Sequence, residues 1–259
     1  AMGLKTILME RSTPTPLIMY LVLHHKLHYG IEVTASHNPA MYNGMKLIVD
    51  EGRDAPLETT ARLEELIAST EEMELPYLRL EQALEQGLIT YMHAPFNDFI
   101  DHILAQLDQT AIKNRGLRIL FDPMHGSGTY PLLVILQTLR CTVDLINDNK
   151  DAYFGGVMPA PSEKSLMSLK NSVLNGKYDL GIAMDGDGDR LGIVDKNGRY
   201  INANEILCLL YYYLVKYKGW QGPAVRNLAT TDKSLLPYKQ LDEKKDIRWN
   251  VKKMNAEVL

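Results

Sequence analysis

Cysteine is scarce in this chain. Its 259 residues contain two, Cys141 and Cys208. Each sits in an apolar run, which favours buried free thiols over a disulfide framework. There is no excess of positive charge either. The net charge of −4 provides no broad attraction for nucleic acid or an anionic membrane, so an anionic substrate has to be captured by a local site. Residues Ala1 to Glu10 lack a basic start followed by a signal-length apolar core. The longest apolar run, Ile206 to Val215, is too short to span a bilayer. Low-complexity segments and fixed-period repeats are missing too. A cytoplasmic protein with neither nucleic-acid nor membrane partners is the expectation.

What is present is ordinary globular material, 46% apolar and 23% charged, enough for one large domain or two ordinary ones. Apolar runs alternate with amphipathic stretches, the pattern of an α/β fold. Three apolar runs stop abruptly in polar or glycine-rich loops. Gly30 to Val33 leads into Thr34-Ala35-Ser36-His37-Asn38-Pro39. Leu117 to Phe121 leads into the loop from Asp122 to Gly128. Leu180 to Met184 leads into Asp185-Gly186-Asp187-Gly188-Asp189-Arg190. Each reads as a strand followed by a loop, where ligands gather in open α/β sheets. Helices are predicted over Pro16 to Lys26, Thr59 to Ser69, Asn97 to Leu107, Glu163 to Val173 and Asn204 to Tyr217. Breaks between modules are predicted near residues 90 to 115 and near 203. The charged stretch from Asp242 to Lys253, with Trp249 inside it, has no assigned role.

The aspartate loop points to a metal. On an extended segment, alternate side chains share a face, so Asp185, Asp187 and Asp189 would converge. Three crowded carboxylates repel unless a cation sits among them. Oxygen ligands alone favour a hard ion, Mg²⁺ or else Mn²⁺ or Ca²⁺. The plainer alternative is a solvated acidic turn, which a single Asp-Gly pair would favour. An EF-hand fails, because Arg190 and Lys196 stand where its glycine and glutamate belong.

The serine loop supplies a hydroxyl that needs help to react. His37 and Lys46 are its acid/base candidates, and Lys46 could also steady a phosphoryl oxygen. Taken alone, Ser36 could equally be a helix cap and His37 a surface residue. Arg11, before Ser12-Thr13-Pro14, reads as structural. So does the turn holding His125 and Ser127, whose glycine spacing fits no nucleotide fingerprint. His24 and His28 could pair at i, i+4 on a helix, with a solvated face as the plainer reading. Tyr211 to Tyr213 read as core and interface.

The string from Thr34 to Pro39, with Tyr42-Asn43-Gly44 and Lys46, resembles the phosphoserine loop of the α-D-phosphohexomutase family. The segment from Asp185 to Arg190 resembles that family's metal loop, and Phe154-Gly155-Gly156 with Met158-Pro159 and Pro161 resembles the second domain of its phosphoglucomutase and phosphomannomutase members. The resemblance implies that Ser36 is the phosphorylated residue. Ser36, Asp185, Asp187 and Asp189 would then hold Mg²⁺, which offsets a phosphoserine charge of about −1.5 to −2. His37 and Lys46 would act as acid or base. Arg190 would hold Ser36 or the transferring group, with an ion pair to one aspartate as its alternative role.

The implied activity is an isomerase, interconverting hexose 1-phosphate and hexose 6-phosphate through a hexose 1,6-bisphosphate. Glucose is the expected sugar, with glucose 1,6-bisphosphate as activator. Phosphomannomutase, phosphoglucosamine mutase and a catalytically incomplete metal- or phosphosugar-binding fragment are the alternatives. The implied fold is a series of three-layer α/β/α domains with mixed sheets, within a four-domain architecture. Residues 1–95 would be part of domain 1, 96–203 domain 2 and 204–259 part of domain 3, in a monomer or homodimer. Val225 to Thr231 resembles the start of domain 3. An opening arginine-bearing loop, a GEESG-like sugar loop and an RxSGT-type phosphate loop are not found, so the chain alone is expected to turn over poorly.

Overall fold

The computed structural model describes residues 4–70 and 78–221. The stretches from Val225 to Thr231 and from Asp242 to Lys253 lie outside the described residues. The elements run β1 (Thr6–Leu8), α1 (Thr15–His24), β2 (Gly30–Val33), β3 (Met45–Val49), β4 (Arg53–Asp54), α2 (Leu57–Ser69), α3 (Leu80–Glu85), β5 (Ile89–Tyr91), α4 (Pro95–Gln106), α5 (Gln109–Arg115), β6 (Arg118–Asp122), α6 (Thr129–Thr138), β7 (Thr142–Leu145), α7 (Met167–Gly176), β8 (Leu180–Met184), β9 (Leu191–Asp195), β10 (Tyr200–Ile201) and α8 (Ala203–Lys216).

The architecture is mixed α/β, and strand alternation explains its layers. The largest sheet has the order β10-β9-β8-β6-β7. Strands β7, β6 and β8 are parallel; β9 and β10 add antiparallel pairs. Successive side chains on a strand point to opposite faces. Ile119 and Phe121 of β6, with Ile182 of β8, pack with Phe99, Ile100 and Leu104 of α4 and Ile135 of α6. Leu120, Ala183 and Val194 point the other way, onto Leu169 and Val173 of α7. Two cores on two faces make three layers. Leu17 and Leu21 of α1 join the first core, which ties the segment bearing the serine loop to the large sheet.

A three-stranded antiparallel sheet, β2-β3-β4, carries the serine loop. Its first strand is therefore one arm of a hairpin, unlike β6 and β8, which are parallel. Two other expectations are corrected. Helix α1 ends at His24, so His28 is not on it; His24 instead stacks on Tyr20, ring centroids 4.0 Å apart. Helix α7 begins at Met167, not Glu163. Reciprocal bonds between Ser162 and Ser165 hold the preceding residues in a turn, since serine hydroxyls compete with helical backbone bonds. Cys141 and Cys208 are both buried. Tyr211 to Tyr213 are half-buried on α8, whose start is fixed by an Asn202–Glu205 capping box. Among the described residues, no helix is long and apolar enough to cross a membrane.

Candidate active site and metal centre

The aspartate loop leaves the carboxyl end of β8 as a turn, so the carboxylates do not converge by strand alternation. Asp185 organises the turn. Its Oδ1 accepts the backbone N–H groups of Asp189 and Arg190, at 3.0 and 2.9 Å. Its carbonyl accepts the Gly188 N–H at 3.1 Å. Gly188 sits at φ 71°, which glycine adopts without a steric cost. The chain thus folds back, and one oxygen from each of Asp185, Asp187 and Asp189 lies within 4.8 Å of the others.

Neighbouring segments brace this turn. The Thr15 N–H donates to the Asp187 carbonyl, and the Ser127 N–H to the Gly186 carbonyl, both at 2.9 Å. The loop after β6 is a structural turn, as its sequence predicts. The Asp122 carboxylate accepts from Met124 N and Asn147 Nδ2, and His125 Nδ1 bonds the Asn149 carbonyl oxygen. Arg11 lies over the Tyr130 ring, 5.1 Å from its centroid, away from the carboxylates.

The serine loop meets the aspartate loop. Ser36 has φ 51°, an uncommon conformation for a residue with a Cβ. Its N–H is held by Thr34 Oγ1 at 2.8 Å. Ser36 Oγ donates to Asp187 Oδ1 at 3.1 Å and lies 3.2 Å from His37 Nδ1. Lys46 Nζ donates to Asp187 Oδ2 at 2.8 Å and to Asp189 Oδ2 at 2.9 Å. The structure thus brings together Ser36, His37, Lys46 and the three aspartates. Arg190 stands apart from the serine. Its Nε is 3.9 Å from Asp185 Oδ2, which is the ion-pair alternative. Among the described residues it has no bond to Ser36.

The electrostatics are those of a site built for a cation. Burial pushes the Asp185 carboxyl up to about 7, and the charges of Asp187 and Asp189 add to this. Burial would also raise Asp187, but its bonds to Lys46 hold it below the ordinary range. Burial would lower Lys46, yet its bonds to Asp187 and Asp189 hold its ammonium well above the usual value. Asp185 is fully buried and its Oδ2 has no hydrogen-bond partner. A buried carboxylate oxygen with no hydrogen bond and only a long ion-pair contact to Arg190, beside two further carboxylates and a serine hydroxyl, fits a hard divalent ion.

Two matches identify the relationship. Residues 1–74 match the family description "Phosphoglucomutase/phosphomannomutase, alpha/beta/alpha domain I", and residues 97–198 match domain II of the same family. The chain belongs to the phosphoglucomutase/phosphomannomutase family. A Thermococcus kodakarensis protein named phosphoglucomutase/phosphomannomutase is 31% identical over 85% of this chain and 46% of its own length. A Sulfurisphaera tokodaii protein named phosphoglucosamine/phosphogalactosamine mutase is 31% identical over 77% of this chain and 43% of its own length. A Thermus thermophilus crystal structure, described as a phosphomannomutase, superposes with a TM-score of 0.80 at 29% identity. That match covers 96% of this chain and 54% of the other. The chain therefore spans about half the length of the relatives it matches.

Two site residues lie outside the motifs, Thr15 and Glu32, and a third, Thr34, opens the serine motif without a role read for it. Thr15 Oγ1 donates to Glu32 Oε2 at 2.7 Å, and Thr34 Oγ1 reaches Asp187 Oδ2 at 3.4 Å. The available signal was Glu32 itself, a charge inside the apolar run of β2. The loops also touch through backbone. A methyl group on Gly186 would lie 2.8 Å from the Ser36 carbonyl oxygen. Gly186→Ala is expected to push the serine loop away and slow phosphate acquisition at Ser36 by about ten- to a hundredfold, because small misplacements are costly in group transfer. Time-resolved intact-mass measurement, with circular dichroism confirming the fold, checks this.

Proposed function

We propose that this chain carries the phosphoryl-transfer centre of a phosphohexomutase, with Ser36 as the residue that accepts and returns the phosphoryl group. The observation that carries the reading is the Ser36 Oγ bond to Asp187, made across 151 residues of sequence, inside a cluster of three carboxylates. The reaction is the interconversion of hexose 1-phosphate and hexose 6-phosphate through a hexose 1,6-bisphosphate. In this reading residues 1–95, 96–203 and 204–259 are part of domain 1, domain 2 and part of domain 3 of a four-domain enzyme. A cytoplasmic setting accords with the low cysteine content, two in 259 residues.

Asp185, Asp187, Asp189 and Ser36 would hold Mg²⁺. When bound, the ion supplies charge balance and Lewis-acid polarisation of phosphoryl oxygens. The chain's own groups handle the protons. As Ser36 Oγ forms its bond to phosphorus, the ester bond to the departing sugar oxygen breaks. His37 Nδ1, 3.2 Å from Ser36 Oγ, would take the hydroxyl proton once it turns from Asp187. Lys46, held protonated, is suited to give a proton to the sugar oxygen. Arg190, half-exposed beside Asp185, can turn outward to an incoming phosphate.

Glucose phosphate is the proposed substrate, on the resemblance of Tyr42-Asn43-Gly44 and the Phe154 to Pro161 segment to glucose- and mannose-specific members. Glucosamine phosphate is the second reading, favoured by relatives such as those from Sulfurisphaera tokodaii and Methanopyrus kandleri, whose names specify amino-sugar mutases. The test uses one half-reaction. Incubation with Mg²⁺ and glucose 1,6-bisphosphate or glucosamine 1,6-bisphosphate, then intact-mass and fragment analysis, is expected to place one phosphate on Ser36. No phosphate from either donor overturns the proposal, and the faster donor identifies the sugar.

A further inference from the structure

Glu32 and Lys46 are direct cross-strand partners in the β2–β3 register. Side chains so placed share one face of the sheet, with Cβ atoms about 4.5–5.5 Å apart. Opposite charges in such a position ordinarily pair with each other. Here they do not. Lys46 Nζ is drawn to Asp187 and Asp189, while Glu32 Oε2 accepts a bond from Thr15 Oγ1 at 2.7 Å. Thr15 is fully buried, and its hydroxyl oxygen also receives Lys46 Nζ at 3.5 Å. The hydroxyl thus stands between the ammonium and the Glu32 carboxylate. It cannot drift from the aspartate loop, because the Thr15 N–H is bonded to the Asp187 carbonyl.

A divalent cation and the Lys46 ammonium compete for the same carboxylate oxygens. Two cations at contact distance from Asp187 and Asp189 would repel each other strongly. A bound ion therefore displaces the ammonium, and a partly buried ammonium without a partner is costly. Its cross-strand neighbour is one side-chain rotation away.

We propose that Glu32 is a positioning residue that takes over Lys46 from Asp187 and Asp189 when a divalent cation binds. Loading the metal site and releasing the proton-carrying lysine then become one rearrangement. The inference rests on the reading of the carboxylate cluster as a metal site. Burial holds the Glu32 carboxyl above its ordinary range, with Asp187 and Asp189 adding to the effect and Lys46 opposing it. A carboxylate in that position gains from an ammonium brought to it.

The test is a double-mutant cycle on Mg²⁺ affinity, measured by calorimetric titration of the metal-free chain. Glu32→Gln removes the charge but keeps the shape and an acceptor for Thr15. It is expected to weaken Mg²⁺ binding about tenfold, and Glu32→Asp to recover part of that loss. Lys46→Met removes the competing ammonium and is expected to bind Mg²⁺ at least as tightly as the parent. In the Lys46→Met background, Glu32→Gln is expected to change affinity by less than about twofold. Equal weakening in both backgrounds would mean that Glu32 acts only through its field, and would overturn the hand-over. So would an unaltered affinity in Glu32→Gln. Circular dichroism verifies folding, and Glu32→Met, a second neutral variant, has to reproduce the result. A parent chain that binds no Mg²⁺ defeats both the hand-over and the metal-site reading. Mg²⁺ binding with an additive cycle, and phosphate still acquired at Ser36, defeats the hand-over alone.

Discussion

Ser36→Ala is expected to reduce phosphate acquisition from a hexose bisphosphate to background, a loss of about a thousandfold or more. The reason lies in the local backbone. Thr34 Oγ1 holds Ser36 N in a left-handed conformation, which delivers Oγ to the carboxylate cluster. No other hydroxyl among the described residues is bonded to both Asp187 and a histidine ring nitrogen. Thr34 approaches Asp187 but sits 3.4 Å away, and Thr15 is fully buried. Alanine leaves Asp185, Asp187 and Asp189 in place, so Mg²⁺ is expected still to stabilise the variant against heat. Intact-mass spectra and thermal melts with and without Mg²⁺ check both halves. Phosphate retained on Ser36→Ala would move the acceptor to another residue.

Asp185→Asn is expected to have opposite effects on stability and on metal binding. Burial, reinforced by Asp187 and Asp189, raises the Asp185 carboxyl to about 7. In the unfolded chain it returns to about 3.9. The native state therefore keeps a proton that the unfolded state has released. The associated stability is fully present below about pH 4 and is lost as pH rises through 7. A chelator-treated chain should melt at progressively lower temperature across that window. The carboxamide that the substitution introduces is neutral, so the variant should not show that decline and should gain about 1–3 kcal/mol at pH 8 in the absence of metal. It should also lose most of the stabilisation that Mg²⁺ confers on the parent. Asp187, held low by Lys46, has the opposite slope: its contribution is present above its unfolded value and is lost as pH falls. Melting curves from pH 4 to 8, in chelator and in Mg²⁺, separate the two. A flat profile in chelator would show that Asp185 is charged and balanced without a metal.

Apart from α7, the predicted strands and helices were legible in the sequence to within a residue or two. β2 and β8 run from Gly30 to Val33 and from Leu180 to Met184, the same bounds as the apolar runs. β8 is buried along most of its length, so it reads as a continuous apolar run that ends at the first polar loop residue; β2 exposes Ile31 and Val33, and its end is marked instead by the polar loop that follows. The edges of the fold were less legible. β1, β4, β5 and β10 span two or three residues each, too few to show a period. α6 is apolar on most sides, so helical spacing cannot mark it. The start of α7 was displaced by side-chain bonds between two serines, which composition does not disclose.

The sequence by itself determined which chemical groups are available: a serine loop with a histidine and a lysine nearby, and three aspartates spaced by glycine. It also determined the strands that end in them, because strand burial and turn residues act over a few positions. Only the tertiary structure decided what those groups do to one another. It set Ser36 against Asp187, bound Lys46 to two aspartates rather than to its cross-strand glutamate, and turned Arg190 toward Asp185. It also made the aspartates converge through a reverse turn instead of an extended strand. Coulomb and hydrogen-bond energies depend on separations of a few ångströms, and packing of α1 against the sheet core sets those separations between residues 141 to 153 positions apart.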